Sequence, residues 1–324
     1  MIELRCSMTR PLISIITPVL NRVGLIGAAL DSVCRAGAVA TEHLVVDGGS
    51  TDGTLSLLRS RPGIRLFEAP GTGIYDAVNL GLHAARGGII CQLNSDDLLS
   101  VGSLQSVAEA DAKAGAEVDA VRGRALYFAD DARLEARAAC LTAEFPVPLR
   151  PADVALGAPA INALFVRRRL YDRVGYFDPR FRLAADREWL MRAFAAGIRI
   201  QQIPAHVYRF RLHRGSLTID PDQSAWGTIR LEHLEICRRI LSSPDMPATL
   251  HRLCRRWCAK EAALLLYLSG VGRYRVNVSR VLQETLAVSP RWPIALPREF
   301  LAFTARGLRR WTRTSLRRLE STGR

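Results

Sequence analysis

Short apolar runs alternate with helical patterns along the first third of this chain. The run "LISIITPV" at residues 12–19 is continuous and rich in β-branched residues, which is typical of a strand buried on both faces. Further strands are predicted within "EHLVVD", "IRLFEAP" and "GIICQLN", and amphipathic helices are predicted between them. Such alternation at short intervals predicts an α/β fold in which helices flank a mostly parallel sheet.

Polar residues stand where several of these predicted strands end. Asp47 ends the second strand and is followed by Gly48-Gly49. Asn21 follows the first strand, and Asp96-Asp97 follows the fourth. In open α/β sheets, ligands bind beyond the carboxyl ends of the strands, so the sequence predicts a ligand site at this edge.

The adjacent carboxylates of Asp96 and Asp97 need a positive partner. Two like charges side by side repel each other and are costly to desolvate. From the residues alone, the candidates are an arginine, a metal ion, or the N-terminus of a helix beginning near Leu99, where carboxylates are favoured.

The pattern changes towards the C-terminus of the chain. Strands and helices continue to about Ser224, and the segment "IRIQQIPAHVYRFRLH" predicts a pair of strands. Amphipathic helices rich in leucine and arginine follow. We therefore predict a sheet domain over residues 1–223 and a helical C-terminal extension over residues 224–324.

The formal net charge of +14 is distributed unevenly, and residues 298–324 include eight arginines against only two glutamates. Glu299 to Leu319 can be written as a helix with an apolar stripe beside an arginine stripe, which suits peripheral contact with an anionic membrane. It suits equally well a helix packed on the rest of the protein with its arginines in water. Nucleic acid is not expected as a partner, because aromatic residues do not alternate with the basic ones.

The N-terminal residues and the lengths of the apolar stretches indicate where in the cell the protein is expected to lie. No signal-peptide pattern precedes the first strand, and no apolar stretch reaches the length of about 20 residues that spans a bilayer. A cytoplasmic location, peripheral at the inner face of the membrane, is therefore expected.

Several segments together carry a resemblance to a known family. They are "ISIITPVLN", "VVDGGSTDGT", "GIYDAVNLGLHAARGG" and "CQLNSDDLL", followed downstream by "FDPRFRLAADREWLMR". In this order and spacing, over about residues 11–215, the chain resembles the inverting family 2 glycosyltransferases, which have the Rossmann-like GT-A fold. The version "GIYDAVNLG" resembles members of bacterial polysaccharide and glycolipid biosynthesis.

The resemblance implies a nucleotide-diphosphate sugar as donor, with UDP as the expected nucleotide, and a divalent cation, Mg²⁺ or Mn²⁺, that neutralises its phosphates. It assigns Asp97 to the metal and Asp96 to the ribose, with Asp96 and His213 as further candidate metal ligands. From its residue type alone, His213 also suits an exposed loop. Many relatives carry Asp where this chain has Asn94, which reduces the number of anionic ligands.

A nucleotide pocket is also implied by the resemblance, with Asp47 on the nucleobase. From residue types alone, Asp47 also suits a turn and Asp76 a helix cap, so these alternatives stay open. The complete set of predicted nucleotide- and donor-binding residues is Thr17, Pro18, Asn21, Asp47, Gly48, Asp76, Asn79 and Asp96.

Inverting sugar transfer needs a base that takes the proton of the acceptor hydroxyl. The resemblance places this base at Asp186 in "AADREW", with Glu188 as the alternative. An ordinary helix N-cap at Asp186 would use the same residue type.

Together, these features predict an inverting, metal-dependent glycosyltransferase of the hexosyltransferase type. Its acceptor is expected to be a saccharide or a lipid-linked molecule in surface polysaccharide or glycolipid biosynthesis. A nucleotide-sugar-binding protein without catalysis is the main alternative, and a basic nucleic-acid-binding protein is a weaker one.

Overall fold

The computed structural model describes residues 12–143, 148–157, 161–213, 224–270 and 278–288. Its first part alternates strands and helices as the sequence predicts. The strands are β1 (Ile13–Val19), β2 (Thr41–Asp47), β3 (Ile64–Glu68) and β4 (Ile89–Gln92). The helices between them are α1 (Val23–Arg35), α2 (Thr54–Ser60) and α3 (Ile74–Ala84).

The middle part adds shorter strands to the same sheet. Its strands are β5 (Leu98–Leu99), β6 (Ala120–Ala129), β7 (Leu164–Arg167) and β8 (Ile200–Leu212). Its helices are α4 (Ser103–Lys113), α5 (Ala132–Ala143), α6 (Pro151–Leu156), a short 3₁₀ turn (Ile161–Ala163), α7 (Arg168–Val174) and α8 (Ala185–Ala195). Three long helices follow, α9 (Ser224–Ser242), α10 (Ala248–Gly270) and α11 (Val278–Val288).

The eight strands form one mixed sheet in the order β3-β2-β1-β4-β7-β6-β8-β5. Strands β3, β2, β1 and β4 pair in parallel. Strand β7 pairs antiparallel with both β4 and β6, and β5 pairs antiparallel with β8. The carboxyl ends of the four parallel strands therefore lie at one edge, as predicted. The pairings of β7 with β4 and β6, and of β5 with β8, are antiparallel.

Strand β1 lies in the centre of the parallel half, between β2 and β4. All seven of its residues are buried, which agrees with its continuous apolar and β-branched sequence. The core around it includes Ile13, Ile15, Val45 and Cys91. This rigid centre fixes where the loops at the carboxyl edge begin.

Residues 200–212 form the single strand β8, so the predicted pair of strands in this segment is wrong. The segment contains no Gly, Asn or Asp that would form a tight turn. Its one proline, Pro204, is exposed, which a strand tolerates where no ladder hydrogen bond is needed.

The described residues divide into two compact units. The first contains residues 12–130, 138–143, 148 and 161–211, and therefore the whole sheet apart from the last residue of β8. The second contains α9, α10 and α11 together with residues 131–137 and 149–157. Within this second unit, the buried carboxylate of Glu261 accepts hydrogen bonds from Arg230 and Trp257. The predicted boundary at 223/224 adjoins residues outside the described ranges and stays a prediction.

Within those described ranges, no helix combines the length and apolar character that crossing a bilayer requires. The basic amphipathic helix predicted from Glu299 to Leu319 lies outside the described residues. Peripheral contact with a membrane therefore stays a prediction.

The approach of Gly87 to β1 generates a first testable prediction. A Cβ atom on Gly87 would lie 2.6 Å from the backbone nitrogen of Ser14, whereas one on Gly88 would meet nothing closer than Leu12 O at 3.9 Å. We expect Gly87→Ala to lower the free energy of unfolding by about 1–3 kcal/mol, because backbone must move to admit the methyl group.

Urea denaturation monitored by circular dichroism would measure this loss. Gly88→Ala is the matched control, and its free energy of unfolding should stay within about 0.5 kcal/mol of the wild type. Equal stability of the two variants would contradict the close approach of Gly87 to β1.

Candidate functional site

Asp47, the last residue of β2, lies at the carboxyl edge of the sheet with only 1% of its surface exposed. Its Oδ1 accepts hydrogen bonds from the backbone N–H groups of Gly49 (2.9 Å) and Ser50 (2.8 Å). Its Oδ2 is buried and accepts no hydrogen bond from the described residues. A buried oxygen without a donor is costly, so this atom is suited to receive a donor from a ligand.

Gly48 links the loops that follow three strands. Its N–H donates to Val19 O at the end of β1 (2.9 Å), and its carbonyl oxygen accepts from Gly71 N (3.0 Å). The backbone N–H of Ala69 donates to Asp47 O (2.8 Å). The loop after β3 therefore lies directly beside Asp47, and the first turn of α3 follows it.

Asn21 holds the loop after β2. Its backbone lies in the left-handed region (φ 52°), and its Oδ1 accepts a hydrogen bond from Thr51 N (2.8 Å). Its own N–H donates to Ser50 Oγ (2.8 Å). The structure thus shows Asn21 fixing the loop around Asp47, and its predicted contact with the nucleotide stays a prediction.

Thr17 and Pro18 are buried within β1. The hydroxyl of Thr17 shares a hydrogen bond of 2.9 Å with Nε2 of His43, on the neighbouring strand β2. Burial lowers the pKa of His43 to about 4, so this imidazole is neutral at pH 7. The hydroxyl of Thr17 is therefore engaged inside the sheet, and the predicted roles of Thr17 and Pro18 in the nucleotide pocket stay predictions.

Asp97 is buried, with 1% of its surface exposed, and both of its carboxylate oxygens are hydrogen-bonded. Oδ2 accepts from the Tyr208 hydroxyl (2.8 Å) and from Asn94 Nδ2 (3.0 Å). Oδ1 accepts from the backbone N–H of Arg211 (2.8 Å). Burial in the first place, and the negative charge of Asp96 in the second, raise the pKa of Asp97 to about 8, although these hydrogen bonds act in the opposite direction.

Asp96 is less buried than Asp97. Its carbonyl oxygen accepts a hydrogen bond of 2.9 Å from Nε of Arg211, and the Arg211 guanidinium also pairs with Asp130. An arginine therefore lies beside the acidic pair, and an arginine was one of the three positive partners considered for this pair in the sequence. Its guanidinium binds a backbone carbonyl and Asp130, and the carboxylate of Asp97 is instead bound by the backbone of this residue.

The alternative in which the acidic pair caps a helix near Leu99 is wrong. Leu98 and Leu99 form β5, which pairs with Arg209 and Tyr208 of β8, and α4 begins only at Ser103. The strand pairing brings the end of β8 alongside the acidic pair. This contact supplies Asp97 with two hydrogen-bond donors, the Tyr208 hydroxyl and the Arg211 N–H.

The fit of a metal ion depends on the oxygen donors at this edge. Among the described residues, no three His, Cys, Asp or Glu side chains are grouped so that they could hold a metal. The site offers the carboxylates of Asp96 and Asp97, and both oxygens of Asp97 are already bound by protein donors. Such a set fits a hard cation that takes one or two protein carboxylates and fills its coordination with phosphate oxygens and water.

His213 directly follows β8 and belongs to the second compact unit, which resumes at Leu212. Its predicted role as a metal ligand stays a prediction.

The first turn of α3 presents Asp76 and Tyr75 in different directions. Asp76 is exposed, whereas Tyr75 is buried and hydrogen-bonded to the carboxylate of Asp186. Asn79 lies one turn further, where Nδ2 donates to Phe177 O (2.8 Å) and Oδ1 accepts from Phe177 N (3.1 Å). Both ends of the Asn79 amide are thus used within the protein, and the predicted donor-binding roles of Asp76 and Asn79 stay predictions.

Asp186 lies in the first turn of α8, whose N-cap is Ala184. It is half-buried, and its Oδ1 accepts from the backbone N–H of Arg187 (2.7 Å). Burial raises the pKa of Asp186, while the positive charge of Arg187 and the hydrogen bonds from Arg187 N and Tyr75 lower it. A carboxylate whose pKa is raised towards neutrality is suited to accept a proton.

Glu188, the alternative base, is bound in a bidentate ion pair with Arg192 (2.7 and 2.8 Å). The same guanidinium donates to the carbonyl oxygens of Val174 and Tyr176. Glu188 therefore orients an arginine that holds the chain before α8. The geometry favours Asp186 over Glu188 for proton transfer, and both assignments stay predictions.

Comparison with known proteins agrees with this fold. The sequence model of Glycosyl transferase family 2 matches residues 14–138. A PGL/p-HBAD biosynthesis glycosyltransferase of Mycobacterium bovis (strain BCG / Pasteur 1173P2) is 30% identical over 207 residues, which are 58% of this chain and 72% of the relative. The chain belongs to glycosyltransferase family 2. The predicted membership is thereby confirmed, and the protein is a glycosyltransferase enzyme.

Solved structures show the same fold at low sequence identity. The Staphylococcus aureus protein TarS, residues 1–349 in complex with UDP-GlcNAc, matches with a TM-score of 0.60 and 19% identity, covering 88% of this chain and 83% of that one. A longer TarS chain is covered over 43% of its length. The mannosyltransferase PcManGT from Pyrobaculum calidifontis, in complex with GDP-Man and Mn²⁺, matches with a TM-score of 0.57 and 18% identity, covering 90% of this chain and 85% of that one. The GT-A fold is thereby confirmed.

Sequence reasoning missed the contacts that Tyr208, Arg211 and Tyr75 make in this candidate site. Tyr208 and Arg211 are separated from Asp97 by more than 100 positions, and no local pattern links them to it. Tyr75 lies within the quoted segment "GIYDAVNLG", and its spacing of four residues from Asn79 is a signal that both face the same neighbour.

The burial of Asp97 generates a second prediction. We expect Asp97→Ala to lower the free energy of unfolding by about 3 kcal/mol, because the Tyr208 hydroxyl and two N–H groups lose a buried acceptor. Chemical denaturation of the purified protein would measure this loss.

Asp96→Ala is the matched control, since the side chain of Asp96 is less buried. Its free energy of unfolding should remain within about 1 kcal/mol of the wild type. A stable Asp97→Ala variant beside an unstable Asp96→Ala variant would reverse the structural roles given to the two carboxylates.

Proposed function

We propose that this enzyme is an inverting glycosyltransferase that moves a sugar from a nucleotide-diphosphate donor to a saccharide or lipid-linked acceptor. The donor nucleotide is UDP, and the reaction belongs to surface polysaccharide or glycolipid biosynthesis. Membership of family 2 supports the reaction type. The TarS complex with UDP-GlcNAc supports a UDP donor, and the relative named for PGL/p-HBAD biosynthesis supports a glycolipid pathway.

The observation that carries the proposal is the unsatisfied oxygen of Asp47 at the carboxyl edge of the sheet. Its partner oxygen is fixed by two backbone N–H groups, so the carboxylate has one orientation and one acceptor to offer. A uracil ring presents an imide N–H that matches this acceptor. Gly48 and Gly49 carry no side chains that would obstruct a ring stacked against the loop.

The diphosphate of the donor is placed at the acidic pair. Asp97 and Asp96 are the residues that would hold a divalent cation, Mg²⁺ or Mn²⁺, there, and Asp97 also keeps the turn in place through its hydrogen bonds. When bound, the cation supplies the positive charge that neutralises the diphosphate as it leaves. Mn²⁺ in the PcManGT complex supports this assignment.

Asp186 acts as the base in this proposal. Its carboxylate takes the proton of the acceptor hydroxyl while the hydroxyl oxygen forms a bond to the anomeric carbon of the sugar. The bond from that carbon to the diphosphate breaks on the opposite side, and the diphosphate leaves with the electron pair. The raised pKa of Asp186 supports this role, because a base is most effective when its pKa lies closer to the pH at which the enzyme works.

The nucleotide site can be tested with Asp47→Asn. This change keeps an oxygen for Gly49 and Ser50 but replaces the unsatisfied acceptor by an NH₂ donor. We expect the affinity for UDP to fall about tenfold or more, because the imide N–H of the uracil ring would then face the NH₂ group of the introduced asparagine, and two donors cannot form a hydrogen bond. Isothermal titration calorimetry with UDP and Mn²⁺ would measure it.

Two controls separate the parts of this site. Asp31→Asn, in the half-buried ion pair with Arg61, should leave UDP affinity unchanged. Asp96→Ala should remove the dependence of UDP affinity on Mn²⁺ without removing binding of UDP itself. Wild-type affinity in Asp47→Asn would contradict the nucleobase assignment.

The base can be tested by comparing Asp186→Asn with Glu188→Gln. We expect Asp186→Asn to lower turnover of UDP-GlcNAc by roughly 10²–10⁴-fold while UDP affinity is retained, because only the proton acceptor is lost. Glu188→Gln should retain turnover and lose some stability, since it breaks the ion pair with Arg192. UDP release measured over time distinguishes the two variants.

The same assay distinguishes an enzyme from a protein that merely binds nucleotide sugars. Donors other than UDP-GlcNAc, such as UDP-glucose and GDP-mannose, are included as substrates. Binding of a donor without release of nucleoside diphosphate from any of them, in the wild type, would favour the non-catalytic alternative.

A further inference from the structure

We propose that Tyr75 is a positioning residue for the base, and that α3 fixes the carboxylate of Asp186 through this tyrosine. The inference rests on the proposed function, since it concerns the residue assigned there to proton transfer. It also gives the segment "GIYDAVNLG" a second task beside the predicted contact with the donor.

Tyr75 and Asn79 lie four residues apart on α3 and therefore share one face of the helix. This face contacts Phe177, in the segment before α8, and Asp186, in the first turn of α8. Asn79 binds the backbone of Phe177 through both ends of its amide, at 2.8 and 3.1 Å. Tyr75 is hydrogen-bonded to Asp186 itself.

Aromatic packing holds the Tyr75 ring in place. Its centroid lies 5.4 Å from that of Phe177, which in turn lies 5.7 Å from Trp189 on α8. Trp189 stacks on Tyr171 at 4.8 Å, and its indole N–H donates to Gly175 O at 2.8 Å. Since Trp189 is one helical turn from Asp186, this packing fixes both the phenol and the helix that bears the carboxylate.

The hydrogen bond from Tyr75 favours the ionised carboxylate. Burial raises the pKa of Asp186, and the groups that act against burial are the Arg187 charge, the Arg187 N–H and the Tyr75 phenol. Glu188, the next carboxylate on the helix, is neutralised by Arg192. Removal of the phenol therefore raises the pKa of Asp186 further, because the charged form loses a donor while burial remains.

The position of Asp76 gives this arrangement its value for catalysis. Asp76 follows Tyr75 directly, so one turn of α3 carries both the residue predicted to bind the donor and the residue that holds the base. The distance between the donor sugar and the base is then set by a rigid helical turn. Such fixed spacing favours the geometry in which the hydroxyl attacks the sugar.

Tyr75→Phe tests the inference, because it removes the hydroxyl and leaves the ring. We expect the acidic limb of the pH–turnover profile with UDP-GlcNAc, measured between about pH 5 and 9, to move to higher pH. At high pH, turnover should remain about fivefold below the wild type, the equivalent of one hydrogen bond, while KM for UDP-GlcNAc is unchanged.

Tyr171→Phe is the matched control. It removes a hydroxyl from the same aromatic cluster, and the ring contacts of Tyr171 are with Tyr176, Phe177 and Trp189. Its profile should coincide with that of the wild type. Coincident profiles of Tyr75→Phe and the wild type, or equal shifts in both variants, would overturn the inference.

A second measurement keeps this inference separable from the proposed function. The carboxyl ¹³C resonance of Asp186, identified by its loss in Asp186→Asn, is titrated in each form of the protein. We expect its pKa to be higher in Tyr75→Phe than in the wild type and unchanged in Tyr171→Phe. An unchanged titration in Tyr75→Phe would overturn the inference whether or not the protein is active. Absence of turnover in the wild type, with the titration shifted as expected, would instead overturn the proposed function.

Discussion

The buried carboxylate of Asp97 is the interaction on which the site depends. Its oxygens accept hydrogen bonds from the Tyr208 hydroxyl, from Asn94 and from the backbone of Arg211. Because Tyr208 and Arg211 lie on β8, this one side chain joins the loop after the parallel strand β4 to the antiparallel half of the sheet. Because Asp97 holds the turn in this way, Asp96 is the less buried carboxylate of the pair and is the one assigned to the ligand in the proposed function.

The polar side chains predicted for the site differ in whether their groups are already used within the protein. Asn21, Asn79 and Glu188 use their side-chain groups on backbone or on an arginine of the protein itself. Asp47 uses one oxygen in this way and keeps the other. The same residue types serve both purposes, and only their geometry distinguishes them. A site of this kind is held rigid before its ligand arrives, which lowers the cost of binding.

The parallel half of the fold could be predicted because its strands lie in apolar runs that alternate at short intervals with helical patterns. The pairings of the antiparallel half could not, since they join strands that are far apart along the chain, such as β5 with β8, and β5 has only two residues. The positions of Asp47 and Asp96 at strand ends were readable from the abrupt end of the apolar runs. The hydrogen bonds of Asp97 were not, because Tyr208 is 111 residues away along the chain and its partner is decided by strand pairing. Likewise, residue types left Asp186 and Glu188 open, and only the ion pair with Arg192 separates them.

The shared hydroxyl of Tyr208 has an evolutionary consequence. It donates to Asp97 and accepts hydrogen bonds from the Asn94 backbone and from Asn162 (both 3.1 Å). A mutation that removes this hydroxyl leaves Asp97, the Asn94 N–H and the Asn162 amide without this partner, so a change at position 208 is expected together with changes at positions 97 and 162. The side-chain amide of Asn94 donates to Asp97 instead. The residue types at positions 94 and 97 are therefore expected to vary together.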